Sequence, residues 1–320
     1  VNQSQTPSVQ AGGELNWQGL SNLFVVYLVW GSTYLAIRVA VRQGSGFPPF
    51  MMGAMRVLLG GALLLLWSAL ARKRIRLDRS ELAVVGISGA LLWFGGNGLV
   101  VWAEQRAASG LAALMVSTAP LWVAFIQSIL DRRRPSLLLG LALLTGFAGI
   151  GLLTVPVMGG TGLGDMRSVL ALLLASASWS MGSVFQTRRP IELASRVSAG
   201  YQQLFGGVGF ALAALIFGEP LPTPSPQAWL AWGYLVVIAS VFAFVAYVQA
   251  LRLLPTSVVM TYAYVNPVIA VLLGWIVLKE PLTAWTLGGM AFVLLGVAGV
   301  FRDRRNQTRA GLPAVVSYEP

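Results

Sequence analysis

The chain has 320 residues, 56% of them hydrophobic and 10% charged, with a mean hydropathy of +0.73. A soluble domain carries about 25% charged residues, so the composition is that of a membrane protein. The absence of Cys and His removes disulfides, thiol chemistry, zinc and haem sites and imidazole relays, and no cofactor is expected.

Residues 1–19 are polar and lack a basic stretch leading into an apolar core, so no cleaved signal peptide is expected. Ten apolar stretches follow, at 20–42, 50–71, 82–104, 108–130, 136–156, 169–187, 194–217, 228–251, 256–278 and 284–301. Each is long enough to cross about 30 Å of hydrocarbon at about 1.5 Å per residue. Residues 302–320 form a basic tail expected to be disordered. The predicted fold is an all-α membrane protein of ten transmembrane helices.

Span 1 carries Trp30, Thr33 and Tyr34 on one face and Arg38 near its end. Span 2 carries Arg56 about six residues in, roughly 9 Å deep. Span 3 aligns Trp93 with Asn97 and ends at Glu104. Charges at such depth face protein or water. Arg38 reads as a gate residue or a snorkelling side chain. Arg56 reads as a substrate-carboxylate anchor or as half of a structural ion pair with Glu104, which would close on an Arg when the anchor is empty.

Span 4 carries Thr118 and Trp122 around Pro120, and span 9 carries Tyr262 and Asn266 beside Pro267. Each proline frees the carbonyl four residues earlier, at Val116 and Ala263, with Ser117, Thr118 and Asn266 as nearby polar partners. Span 6 aligns Trp179 with Ser183, and span 7 adds the amides of Gln202 and Gln203. Together these residues suggest a central cavity with aromatic walls and a few hydrogen-bonding groups.

The second five spans repeat the first. A shift of 147 positions lays Gly86 on Gly233, Ala103 on Ala250, Pro120 on Pro267 and Gly149 on Gly296. With a drift of one or two residues Trp30 meets Trp179, Gly60-Gly61 meets Gly206-Gly207, and Arg56 meets Gln202. Five is odd, so the copies enter from opposite sides as inverted repeats, 20–156 and 169–301, joined by a Gly-rich outer linker at 157–168. Gly60-Gly61, Gly146, Gly149, Gly206-Gly207, Gly288-Gly289 and Gly296 are expected at close helix contacts.

The net charge of +11 sorts by side. With cytoplasmic termini, sixteen Lys/Arg fall in inner loops and tail against four outside (Arg42, Arg106, Arg167 and Lys279). The basic excess therefore reads as topology and membrane-lipid contact rather than nucleic-acid binding.

These features resemble the EamA family of ten-helix exporters in the drug/metabolite transporter superfamily. The resemblance rests on Trp30-Gly-Ser-Thr-Tyr34, Asn97-Gly98 leading to Trp102-Ala-Glu104, Ser109-Gly110, Ala119-Pro120, Trp179 with Gly182-Ser183, Tyr262-Ala-Tyr-Val-Asn-Pro267 and Glu280-Pro-Leu282. It covers about 22–301. It implies a bacterial inner-membrane exporter of amino acids, related metabolites or drugs, as in YddG-type aromatic amino-acid exporters. The family's acid after helix 9 is Glu280, whereas its counterpart after helix 4 gives way to Asp131-Arg-Arg-Arg134, which puts symmetric gating by that acid in doubt.

The expected function is secondary transport of small amphipathic solutes by alternating access, with a monomer favoured over an obligate oligomer. A passive channel or scramblase-like path is the alternative. A membrane-embedded enzyme is disfavoured, because the acids do not cluster within the spans. No Gly-x-x-x-x-Gly-Lys-Ser/Thr loop is present for ATP, leaving facilitated efflux or proton antiport through Glu104.

Overall fold

The computed structural model describes residues 17–132, 136–159, 164–189, 191–254, 259 and 261–309. The described residues contain helices and no strand. The helices are α1 (Trp17–Val41), α2 (Pro49–Leu70), α3 (Arg79–Ala103), α4 (Ser109–Leu130), α5 (Leu137–Met158), α6 (Met166–Arg188) and α7 (Ser195–Ile216). After them come α8 (Pro226–Tyr234, Leu235–Phe242 and Ala243–Leu253), α9 (Tyr262–Leu278) and α10 (Ala284–Arg309). Among the described residues nine are long and apolar enough to cross a membrane, and Val265–Leu278 of α9 is a shorter apolar helix. This is a ten-helix membrane protein of two five-helix repeats.

The tail departs from expectation. Residues 302–309, expected to be disordered, continue α10. No Pro or Gly interrupts that segment, and Ser136 at the start of α5 donates to Asp303 Oδ1 at 2.5 Å. The expected start of span 9, the signal-peptide reading of the N-terminus and much of the outer linker fall partly outside the described residues.

Helix starts follow local chemistry. Asp78 accepts the Glu81 N–H at 2.8 Å while Glu81 accepts the Asp78 N–H at 3.0 Å, a reciprocal cap. The Glu81 N–H and the Ser80 hydroxyl hold the Asp78 carboxyl below its ordinary range. Asp165, Ser136 and Ser225 cap α6, α5 and α8 in one direction only, each side chain accepting the backbone N–H three residues on.

The repeats interlock. The most extensive contacts join α2 to α7 and α5 to α10, the equivalent helices of the two halves. Helix α1 packs on α8 and α9 of the second half, and α6 packs on α3 and α4 of the first. Each half therefore lends its first helix to the other.

Small residues permit this. A Cβ on Gly296 would lie 2.6 Å from Gly146 Cα, and one on Gly61 would lie 2.7 Å from the Gly200 carbonyl. Gly288 departs from its expected packing role, since a Cβ there meets nothing within 4 Å. Gly296→Val is expected to lower the melting temperature in detergent, at an overpacking cost of about 1–3 kcal/mol. Gly288→Ala should leave it unchanged; equal effects of the two substitutions would refute the contact.

Two π-helical stretches occupy matched places, Ala90–Gly98 in α3 and Leu235–Phe242 in α8. The widened turns present carbonyls to hydroxyls. Ser178 of α6 donates to the Leu91 carbonyl at 2.8 Å, and Ser240 donates to the Leu235 carbonyl at 2.9 Å.

Candidate functional site

Arg56 is 6% exposed, and its Nε donates to Ser240 Oγ at 3.2 Å across the interface between halves. Its counterpart obeys the same rule: Gln202 Nε2 donates to Ser88 Oγ of α3 at 3.0 Å and to Gln186 Oε1 at 2.8 Å. A polar residue of α2 or α7 thus reaches a serine of the other half's third helix, with a cation in one copy and an amide in the other. Next to Gln202, Gln203 is fully buried with no partner for either amide atom.

Glu104 at the end of α3 is fully buried, and neither carboxylate oxygen has a hydrogen-bond partner. The expected Arg56–Glu104 ion pair is absent. The ion pairs among the described residues are Arg74–Glu81 and Arg188–Asp131. Arg56 instead turns to Ser240, while Glu104 remains within electrostatic reach of Arg56, Arg38 and Glu280. The snorkelling reading of Arg38 is also corrected: the side chain is half-buried and donates to the Glu104 main-chain carbonyl at 2.5 Å. That carbonyl lies at the end of α3, where a cation is favoured by unpaired carbonyls and the helix dipole.

Tyr34 lies on α1 one turn beyond Trp30, within electrostatic reach of both Glu104 and Tyr262. Around Trp30 the rings form an aromatic cage. The cage joins Trp30 of α1, Tyr247 of α8 and Tyr262 of α9, with ring centroids 5.0 Å (Trp30–Tyr247), 5.3 Å (Trp30–Tyr262) and 6.0 Å (Tyr247–Tyr262) apart. Near-perpendicular pairs, 89° and 87° for the two contacts of Tyr262, place ring edges against ring faces. Where α6 packs on α3 there is a smaller version, with Trp93 of α3 and Trp179 of α6 at 6.3 Å.

The remaining expected residues divide. Thr33 donates to the Trp30 carbonyl at 2.6 Å, and Ser183 to the Trp179 carbonyl at 2.8 Å. Both stabilise their own helices. Asn97 is half-buried on α3. Asn266 is 8% exposed, with Oδ1 unpartnered. Trp122 stands apart from the cage, against Phe125 and against Phe147 of α5.

Pro120 does not kink a continuous helix. It lies in the first turn of the second of two segments, Ser109–Val116 and Ala119–Leu130, separated at Ser117-Thr118. The freed Val116 carbonyl is met by Ser176 Oγ of α6 at 3.3 Å, not by Ser117 or Thr118 as expected. Those two hydroxyls donate to Leu114 and Met115 carbonyls, and Thr118 also contacts Ser176 Oγ at 3.1 Å. Pro267 lies inside α9.

The bundle face away from the termini is joined across the halves. Glu280, just after α9, accepts from Ser109 N (2.8 Å), Ser109 Oγ (3.0 Å) and Gly110 N (3.1 Å) at the start of α4. Glu219, just after α7, accepts from Phe50 N (3.0 Å) and Met51 N (2.7 Å) at the start of α2. Two backbone bonds of 2.9 Å, Thr223 N to Gly46 O and Ser225 N to Ser45 O, complete the seam. Gly46 is required there: its φ is +85°, and a Cβ would lie 2.0 Å from the Thr223 carbonyl. On the opposite face Asp131 pairs with Arg188, and the hydroxyls of Tyr27 and Thr261 join α1 to the start of α9. Arg133 and Arg134 lie outside the described residues.

Tyr247, Ser240, Ser176 and Glu219 are absent from the sequence-based candidates. Ser240 and Tyr247 are seven residues apart, a same-face spacing on a helix, but that weak signal is common in apolar spans.

A family model described as the EamA-like transporter family matches the chain twice, over residues 17–155 and 166–302. The inner membrane transporter YedA of Escherichia coli (strain K12) is 36% identical over 278 residues, covering 86% of this chain and 86% of that protein. The transporter YoaV of Bacillus subtilis (strain 168) is 23% identical over 274 residues, covering 85% and 92%. One solved crystal structure superposes with a TM-score of 0.61 at 23% identity, covering 90% of this chain and 98% of the other. That likeness shows the fold.

Proposed function

Because the chain belongs to the EamA-like transporter family, as a multi-pass transporter of the inner membrane, we propose that it exports small zwitterionic solutes, aromatic or other neutral amino acids foremost, by alternating access. The observation that carries this reading is a pair of buried ionisable groups, neither of them in an ion pair. Arg56 and Glu104 lie within electrostatic reach yet beyond ion-pairing distance, each without a charged partner in contact. Ionising such groups without a partner is costly, so the pair suits a ligand carrying both complementary charges. The solute's carboxylate meets the Arg56 guanidinium, its ammonium meets Glu104, and its apolar side chain meets the Trp30–Tyr247–Tyr262 cage beyond Tyr34.

Alternating access draws support from the interlocked repeats, whose two packings are near-equivalent by symmetry. The basic loops on the terminal side support cytoplasmic termini. Glu104 is also the group that would exchange a proton for substrate, with Arg38 holding the main chain beside it. A monomer suffices, since both halves of the site come from one chain.

Counterflow in proteoliposomes tests the proposal. Vesicles loaded with an unlabelled aromatic amino acid should transiently accumulate the labelled compound above equilibrium. Simple equilibration without overshoot would identify a passive channel instead. Under an imposed pH gradient, Glu104→Gln should lose the pH-driven component and retain exchange; unchanged pH dependence would remove Glu104 from coupling.

A further inference from the structure

We propose that the cleft between α3 and α6, at the end of the bundle that carries the termini, seats an anionic phospholipid. It is a separate feature from the charged and aromatic site. Its volume is about 360 Å³, within the usual range of ligand pockets, and its walls come from both halves of the protein.

The cleft is polar at one end and apolar along its wall. Ser80, at the first turn of α3, and Arg189, just after α6, form the polar end, while Val84, Ile87 and Phe185 line the wall. Ser80 to Ile87 is seven residues of helix, about 10 Å along the axis, which carries the wall from the headgroup region into the acyl region. A soluble metabolite would have no use for the exposed apolar edge of Ile87, whereas an acyl chain lies against it naturally.

Charge selects the headgroup. Arg188 is committed to Asp131, but the exposed Arg189 has no acidic partner among the described residues. In sequence, the segments 71–81 and 187–196 that contain Ser80 and Arg189 carry five and three basic residues against two and one acidic ones; Arg74, Arg188 and Arg196 are engaged by Glu81, Asp131 and the Trp67 ring. Of those acids, Glu81 pairs with Arg74, Asp78 is held by the Glu81 N–H and the Ser80 hydroxyl, and Glu192 is exposed. A lipid phosphate therefore meets Arg189, and a headgroup hydroxyl can donate to Ser80. Because the seat bridges α3 and α6, occupancy should also tie the halves together.

The test is thermal denaturation of the full-length protein in non-ionic detergent with added dioleoyl phosphatidylglycerol or dioleoyl phosphatidylcholine. Phosphatidylglycerol should raise the melting temperature saturably and phosphatidylcholine should not. Arg189→Gln should weaken the apparent phosphatidylglycerol affinity about fivefold. Ala83→Trp, which fills the exposed wall without changing charge, should abolish the rise; Ile87→Gln, which makes the wall polar, should reduce it independently. Glycerol phosphate, the headgroup without chains, should have no effect. Equal stabilisation by both lipids, an unchanged response of Arg189→Gln, or stabilisation by glycerol phosphate alone would overturn the proposal.

Discussion

Arg56→Ala is expected to weaken transport of carboxylate-bearing solutes about ten- to a hundredfold while sparing cationic amphiphiles that lack a carboxylate. The magnitude is that of one charge-assisted, forked hydrogen bond in a desolvated site, about 1.5–3 kcal/mol. The serine beside it stays satisfied after the change, because Ser240 donates to the Leu235 carbonyl as well as accepting from Arg56. A general collapse of the site is therefore not expected. Arg56→Lys keeps the charge but not the fork and should fall between wild type and Arg56→Ala. Arg56→Gln is the most informative substitution, since it gives the first half the residue type its counterpart already has at Gln202. It should retain the hydrogen bond to Ser240 and still lose the carboxylate. Paired uptake of an amino acid and its decarboxylated amine into proteoliposomes is the measurement. Equal losses for both solutes would show that Arg56 supports the fold rather than the substrate.

The frame of the molecule is legible in one dimension because the bilayer makes it so: every span needs about 20 apolar residues with internally satisfied backbone, and hydropathy records that demand directly. The repeat was legible for the same reason, through glycines and prolines whose effects act on the backbone. Pairing between side chains was not. Arg56 and Glu104 invite an ion pair by charge and depth, yet α2 packs directly on α8 of the other half, which brings Ser240 to Arg56. Likewise the Val116 carbonyl was a predictable vacancy next to Pro120, but its donor, Ser176, comes from α6, a helix that sequence order places in the other repeat. The π-helical stretches escaped for a different reason. Gly95, Gly96 and Gly98 make the first easier to form, but the second, Leu235–Phe242, contains no glycine, so the widened turn has no shared sequence mark. Even α10 ran past its apolar limit, because helix propensity and the Ser136–Asp303 contact continue where hydropathy stops.

Glu280→Gln is expected to loosen the bundle face away from the termini and raise its opening about tenfold. In the observed state the Glu280 carboxylate takes the first N–H groups of α4, which no residue within that helix can satisfy, and it does so at the positive end of the helix dipole. Gly274 keeps the space for it, since a Cβ there would lie 2.2 Å from Glu280 Oε2 and 2.8 Å from Ser109 Oγ. Losing the negative charge should cost about 0.3–2 kcal/mol in the closed arrangement, and the lost acceptor adds to it. A carrier near balance between two packings needs little more to redistribute. Glu219 performs the equivalent task at α2, so Glu219→Gln should act in the same direction and the double substitution more strongly. Both acids belong to the second repeat and both helix starts to the first, so these bonds span the surfaces that must separate if that face opens. The chain has no native cysteine, which makes the measurement clean. A single Ala108→Cys reporter, buried on the small cavity bordered by Glu280, should react faster with a membrane-impermeant thiol reagent once the latch is weakened. If labelling stays constant while the protein remains folded, Glu280 is a cap for α4 alone. Opening of that face must then be controlled elsewhere along the seam, at Glu219 or at the backbone pairing of Gly46 with Thr223.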